Sequence, residues 1–172
     1  MEQKWSAKKV EIGDKKEQET RPFDIFEVSI SVPDVDKSIQ QFRDLFGLEP
    51  YFVGDIVGDY EAVLNGEKVT PAKIRMAMYH AGPVRLELVG PLDEKDSVYA
   101  EYLRKHGPGV QHLGTRVSDL DYEIAWFKER GISVKSYAEV PGIRIAYMDT
   151  ESICGFHVEL VQTHLREPGL TR

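Results

Sequence analysis

The chain is short of several things, and each shortage narrows what it can be. Its single cysteine, Cys154, rules out an intrachain disulfide framework and fits a reducing compartment. No apolar run approaches the roughly 18 residues of a membrane-spanning helix. The first 22 residues, rich in Lys, Glu and Gln, lack the apolar centre of a secretory signal. Positive charge is also in deficit: 22 Lys and Arg stand against 29 Asp and Glu, a net charge of −7, so no basic stripe is available for nucleic acid. The expectation is a cytoplasmic protein with a loosely docked leader over 1–22, acting on a small molecule rather than on nucleic acid or a membrane.

What is present is enough apolar sequence, 41% of 172 residues, for one compact domain or two small modules sharing a core. One structural paragraph occurs twice. Glu27-Val28-Ser29-Ile30-Ser31-Val32-Pro33-Asp34 runs into Ile39 and Phe42, and His112-Leu113-Gly114-Thr115-Arg116-Val117-Ser118-Asp119 runs into Ile124 and Phe127, at a constant offset of 85 positions. Each copy begins with an alternating strand and continues into helical spacing closed by a glycine, Gly47 or Gly131. The spacing predicts strands over 24–32, 51–56, 61–64, 73–80 and 84–89 in a first module (23–93). A linker (94–108) contains a helix over 96–106. The second module (109–163) has strands over 110–117, 133–140, 143–149 and 156–162 around a helix over 119–130, with a surface tail over 164–172. The expected class is α+β: two tandem βαβββ modules forming a curved mixed sheet around a central cavity.

Strand parity then selects the chemistry. If Val28, Ile30 and Val32 pack against their helix, Glu27 faces the opposite, concave side. By the same rule His112 turns inward opposite Leu113 and Val117, Glu87 opposite Leu86 and Leu88, and Glu159 opposite Val158 and Leu160. A lone strand Glu or His is usually a solvated or structural side chain, but four in register between two copies suggest a shared site. Three buried carboxylates without a cation repel one another. A single divalent ion, Mn, Fe, Co, Zn or Mg, held by Glu27, Glu87, His112 and Glu159 removes that conflict. Arg85, Arg116 and His157 share the inward parity, either to bind a substrate anion or to neutralise the glutamates. Tyr79 and Tyr147 lie in stretches suited to line a partly apolar pocket. Cys154 has no base in its own segment and is not read as a nucleophile.

These segments, with Val32-Pro33-Asp34-Val35-Asp36, Glu87-Leu88-Val89-Gly90-Pro91-Leu92, Gly109-Val110-Gln111-His112-Leu113 and Val158-Glu159-Leu160-Val161-Gln162, resemble the vicinal oxygen chelate superfamily. That superfamily includes glyoxalase I, extradiol dioxygenases, bleomycin-resistance proteins and methylmalonyl-CoA epimerase. The resemblance spans roughly 24–162 and is strongest to epimerase-like members. It implies metal ligation by His112, Glu159 and Glu87, and it places Glu27 where the family ordinarily has histidine, as an oxygen ligand or as a base. The strand around 74–78 supplies no second carboxylate of the kind a two-base epimerase needs. The leading expectation is a metal-dependent lyase or isomerase in which Glu159 or Glu27 removes a proton and an enolate-like intermediate forms. The alternatives are an Fe(II) ring-cleaving dioxygenase and a non-catalytic small-molecule binding or resistance protein. An exposed sheet edge in such modules makes a homodimer the expected assembly.

Overall fold

The computed structural model describes residues 23–163; the expectations for 1–22 and 164–172 lie outside them. The element order is β1 (Ile25–Ser31), α1 (Val35–Phe46), β2 (Phe52–Ile56), β3 (Glu61–Leu64), β4 (Glu67–Lys68), β5 (Ile74–Ala81), β6 (Val84–Pro91), α2 (Val98–His106), β7 (Gly109–Arg116), α3 (Leu120–Lys128), β8 (Val134–Val140), β9 (Ile143–Met148), α4 (Glu151–Cys154) and β10 (His157–Thr163). The duplicated sequence uses the same device twice. Asp34 and Asp119 are extended N-caps whose carboxylates accept the backbone N–H of Lys37 and Tyr122, each cap contributing about 1 kcal/mol. Gly47 ends α1 in the left-handed region, at φ 67°.

All ten strands form one mixed sheet in the order β2-β5-β6-β1-β7-β10-β9-β8-β3-β4. β1 pairs parallel with β6 and antiparallel with β7, so the two halves join within one chain. β7 pairs parallel with β10, mirroring the β1–β6 pair. One strand departs from the simple duplication. Within its own half β3 pairs only with the short β4, and its other side crosses to β8, setting Ala62 against Ala138 and Leu64 against Ser136. The Asn65-Gly66 turn, both residues at positive φ (54° and 86°), folds back the short β4, which the sequence reading did not anticipate.

This crossing requires strong curvature. β2 and β3 stand eight strand intervals apart in the sheet order, which would be roughly 38 Å if the sheet were flat. Ile56 and Glu61 are separated by a link that spans at most about 18 Å. The sheet therefore curls into a half-barrel. The convex face buries two parallel cores, Val32, Val35, Tyr79 and Leu88 beneath α1, and Leu120, Met148, Val158 and Leu160 beneath α3. On the other face Val98 of α2 packs against Leu64 and Tyr147, so the linker helix covers part of the concave surface.

Candidate metal centre

The centre of the concave face is set by strand register. Glu27 lies opposite Gly114 on one side and Arg85 on the other, Ser29 lies between Glu87 and His112, and Glu159 also lies opposite Gly114. Four ionisable side chains from β1, β6, β7 and β10 therefore converge where the two halves meet, all nearly inaccessible to solvent. Gly114 makes the convergence possible, because a Cβ there would lie 2.9 Å from Glu159 Oε2 and 3.1 Å from Glu27 Cβ.

His112 Nε2 is the focus. It lies 3.5 Å from Glu27 Oε1, 3.5 Å from Glu159 Oε2 and 3.8 Å from Glu87 Oε2. Glu27, His112 and Glu159 form a buried group able to hold a metal ion, their ligand atoms all within 4.8 Å of one another. Each donor is oriented by a neighbour. Gln111 Oε1 accepts from His112 Nδ1 at 2.6 Å, which turns the Nε2 lone pair toward the carboxylates. Ser29 donates to Glu87 Oε2 at 2.6 Å. Tyr147 donates to Glu159 Oε1 at 2.7 Å, with the Tyr99 hydroxyl a further 2.7 Å behind it. Arg85 Nε donates to Glu27 Oε2. After all these bonds, His112 Nε2 and Glu159 Oε2 remain buried without a hydrogen-bond partner, a costly arrangement unless a further species satisfies both. Two ligands each about 2.1 Å from one ion stand roughly 3.0 to 3.4 Å apart, close to the observed separations, so the donor set fits a divalent cation.

The electrostatics agree. Burial works against the charged form of Glu27, yet His112 and the Arg85 guanidinium outweigh it and hold the carboxyl at about 2. Burial, reinforced by the Glu27 charge, pushes Glu87 up to about 8. Burial and the same charge push Glu159 well above the ordinary carboxylate range. One carboxylate is thus ionised and two resist ionisation, the conflict that a cation resolves.

The centre forms the floor of a cavity of about 330 Å³ whose lining includes Glu27, Arg85, Glu87, Tyr147 and Glu159. Three of the residues expected to bind substrate lie elsewhere. Tyr79 is fully buried in the convex core and packs on Phe42; on β5 it alternates with Met76 and Met78, which do line the cavity. Arg116, at the exposed end of β7, stacks its guanidinium 3.8 Å from the Phe26 ring centroid. His157 has the inward parity of Glu159, but it belongs to a separate polar recess with Lys105 and Glu151 beside α2. Ser29, Gln111 and Tyr99 orient the site and were not singled out in the sequence. Their inward parity or their place beside His112 was a usable signal for Ser29 and Gln111, whereas nothing local placed Tyr99 of the linker helix there.

Fold and site together define the class: two βαβββ halves curled into one half-barrel, with a buried carboxylate and imidazole group able to hold a metal ion where they meet. Residues 27–147 match the glyoxalase/bleomycin resistance protein/dioxygenase superfamily, and the chain belongs to it. Methylmalonyl-CoA epimerases are among its structural neighbours. The enzyme from Mycobacterium tuberculosis is 28% identical, with a TM-score of 0.59 over 82% of this chain and 88% of that one. The Streptomyces coelicolor enzyme, as an S115T variant bound to 2-nitronate-propionyl-CoA, shares the fold at 23% identity and a TM-score of 0.59, over 84% of this chain and 97% of that one. An uncharacterised Bacillus subtilis protein, YqjC, is 26% identical over 127 residues, 69% of this chain and 90% of its own length. No helix among the described residues is long and apolar enough to cross a membrane.

Proposed function

We propose that the protein is a metal-dependent isomerase or lyase that removes a proton next to a substrate carbonyl. The observation carrying this reading is the pair of buried, unpartnered atoms, His112 Nε2 and Glu159 Oε2, 3.5 Å apart on the floor of an open cavity. Glu27, Glu87 and His112, with Glu159, would hold one divalent ion. Bound there, the ion would polarise the carbonyl and make the neighbouring C–H more acidic.

The chain's own residues divide the remaining work. Glu27 is ion-paired to Arg85 and held at about 2, which makes it a firm ligand and a poor base. Glu159 has no such ion pair: one oxygen lies 3.5 Å from His112 Nε2 without a hydrogen-bond partner while Tyr147 fixes the other, and a cation at the centre would keep it ionised and able to take a proton. It is the group suited to accept the α-proton. Tyr99 and Tyr147 position that carboxylate. The single imidazole, set among three carboxylates, argues against the two-histidine, one-carboxylate arrangement of Fe(II) ring-cleaving enzymes.

Metal titration of the chelator-stripped full-length chain tests this reading. One Mn²⁺, Co²⁺ or Zn²⁺ per chain is expected, with a raised melting temperature and binding at least about tenfold weaker in Glu159→Gln. Exchange of the α-hydrogen of simple α-hydroxyketones with D₂O should appear with metal and vanish on chelation. Indifference to every ion would remove the proposal.

A further inference from the structure

The cavity above the centre has an unusual division of polarity. Its floor carries Glu27, Glu87, Glu159 and Arg85, and the remaining charged lining residue, Asp96, is paired with Arg104 at 2.7 Å. Its walls are apolar side chains from four strands that meet only because the sheet curls: Phe52 and Ile56 of β2, Met76 of β5, Leu64 of β3, and Ile143 and Ile145 of β9. The polar side chains on these walls are already committed to the protein. Tyr60 donates to the Ala72 carbonyl, Ser136 to the Val63 carbonyl at 3.1 Å, and Tyr137 to Glu139. Ser97, at the N-cap of α2, accepts from the Ala100 N–H.

Charge tells the same story. Among the described lining residues Arg85 is the sole cation, and it is bound to Glu27. The floor therefore has three carboxylates against one guanidinium, and a divalent ion brings the sum to neutrality. A second anionic group on the substrate would enter apolar walls with no counter-charge to meet it, at a large desolvation cost.

Resting on the metal-centre reading above, we propose that the substrate has one oxygen-bearing end, seated at the floor, and an uncharged, predominantly hydrophobic body that fills the cavity. The walls set specificity by excluding carboxylate and phosphate groups from everything but the floor. The crossing strand β3 is part of this selectivity, since it brings Leu64 from the first half of the chain against Tyr147 and Ile145 of the second.

Binding of N-phenylnaphthylamine, an uncharged apolar dye, to the full-length chain provides the readout, because its fluorescence reports the walls with or without metal. Alkyl hydroxymethyl ketones from ethyl to hexyl should displace it with affinity rising about three- to fourfold per methylene until the cavity is full. The hexyl compound with its terminal methyl replaced by carboxylate should be at least about tenfold weaker than its parent, although its head is identical. Ile145→Lys should depress dye binding, with circular dichroism to establish that the variant folds. A flat ketone series, or tighter binding of the carboxylate-tailed compound, overturns the inference even if the chain binds one ion. A rising series in a chain that binds no ion sustains the inference and removes the metal centre instead.

Discussion

Three carboxylates around one imidazole cannot all keep their charge in a buried site, and the way they divide the difficulty gives the residue-scale prediction. Glu87 has a folded value of about 8 against an ordinary 4.5, raised by burial and by Glu27, and Glu159 is raised in the same sense. A carboxyl with a raised folded value contributes its stability fully below the unfolded value and loses it as pH rises through the folded one. The contribution of these two carboxyls to the metal-free chain should therefore fall between about pH 4.5 and 8, while His157, whose imidazole burial holds below its ordinary 6.5, adds stability as pH rises to that value. Glu27 works oppositely, since its stabilisation is lost only as pH falls toward about 2, outside that window. A bound cation favours the ionised forms and displaces their protons. Melting followed by circular dichroism at a series of pH values should show the Mn²⁺-induced increase in melting temperature growing with pH. An increase that is equal at pH 5 and pH 8, or a metal-free melting temperature that climbs from pH 6.5 to 8, above the range of His157, would count against the assignment of the charges.

At the scale of elements, what was legible in the sequence followed from local rules. Asp34 and Asp119 with Gly47 and Gly131 marked the two helices, and period-two alternation put Glu27, Glu87, His112 and Glu159 on one face while Ile30, Leu88, Val158 and Leu160 went to the other. Parity also held the answer for Tyr79, which shares the face of Ala77 and not that of Met76; reading the whole stretch as pocket obscured it. The rest was non-local. Parity alone cannot say that α2 divides the concave face and leaves His157 in its own recess, nor that Arg116 finds Phe26 at the strand end. Nor does any local pattern in 61–64 announce that this strand will seek β8 in the other half. That crossing predicts a specific cost. Leu64 is buried with Val98 and Tyr147, so Leu64→Ala should lower stability by about 2 to 5 kcal/mol, measured by urea denaturation. A loss below about 0.5 kcal/mol, typical of surface substitutions, would mean that β3 is not docked as described.

For the whole molecule, a curled sheet of ten strands still has two edges, and the chain treats them differently. One edge is β4, two exposed charged residues, Glu67 and Lys68, the kind of short charged strand that discourages further pairing. The other is β2, which pairs with β5 on one side and leaves its remaining side open, with Tyr51, Phe52 and Val53 exposed, as are Leu45 and Phe46 at the end of α1. Leu45 and Phe46 are 74% and 63% exposed, so apolar surface is uncovered both on this strand and at the end of the helix that precedes it. We propose that a second copy covers this edge in a twofold arrangement, since antiparallel pairing of β2 with itself satisfies its open backbone groups and draws exposed apolar side chains into the seam. Light scattering coupled to size-exclusion chromatography should then give twice the chain mass, and the double substitution Val53→Lys with Phe46→Glu should give the chain mass itself. The candidate metal centre lies at the β1–β7 junction within one chain, so the monomeric variant should bind Mn²⁺ as the unsubstituted chain is expected to. A monomeric unsubstituted chain would leave the β2 edge without the partner proposed for it.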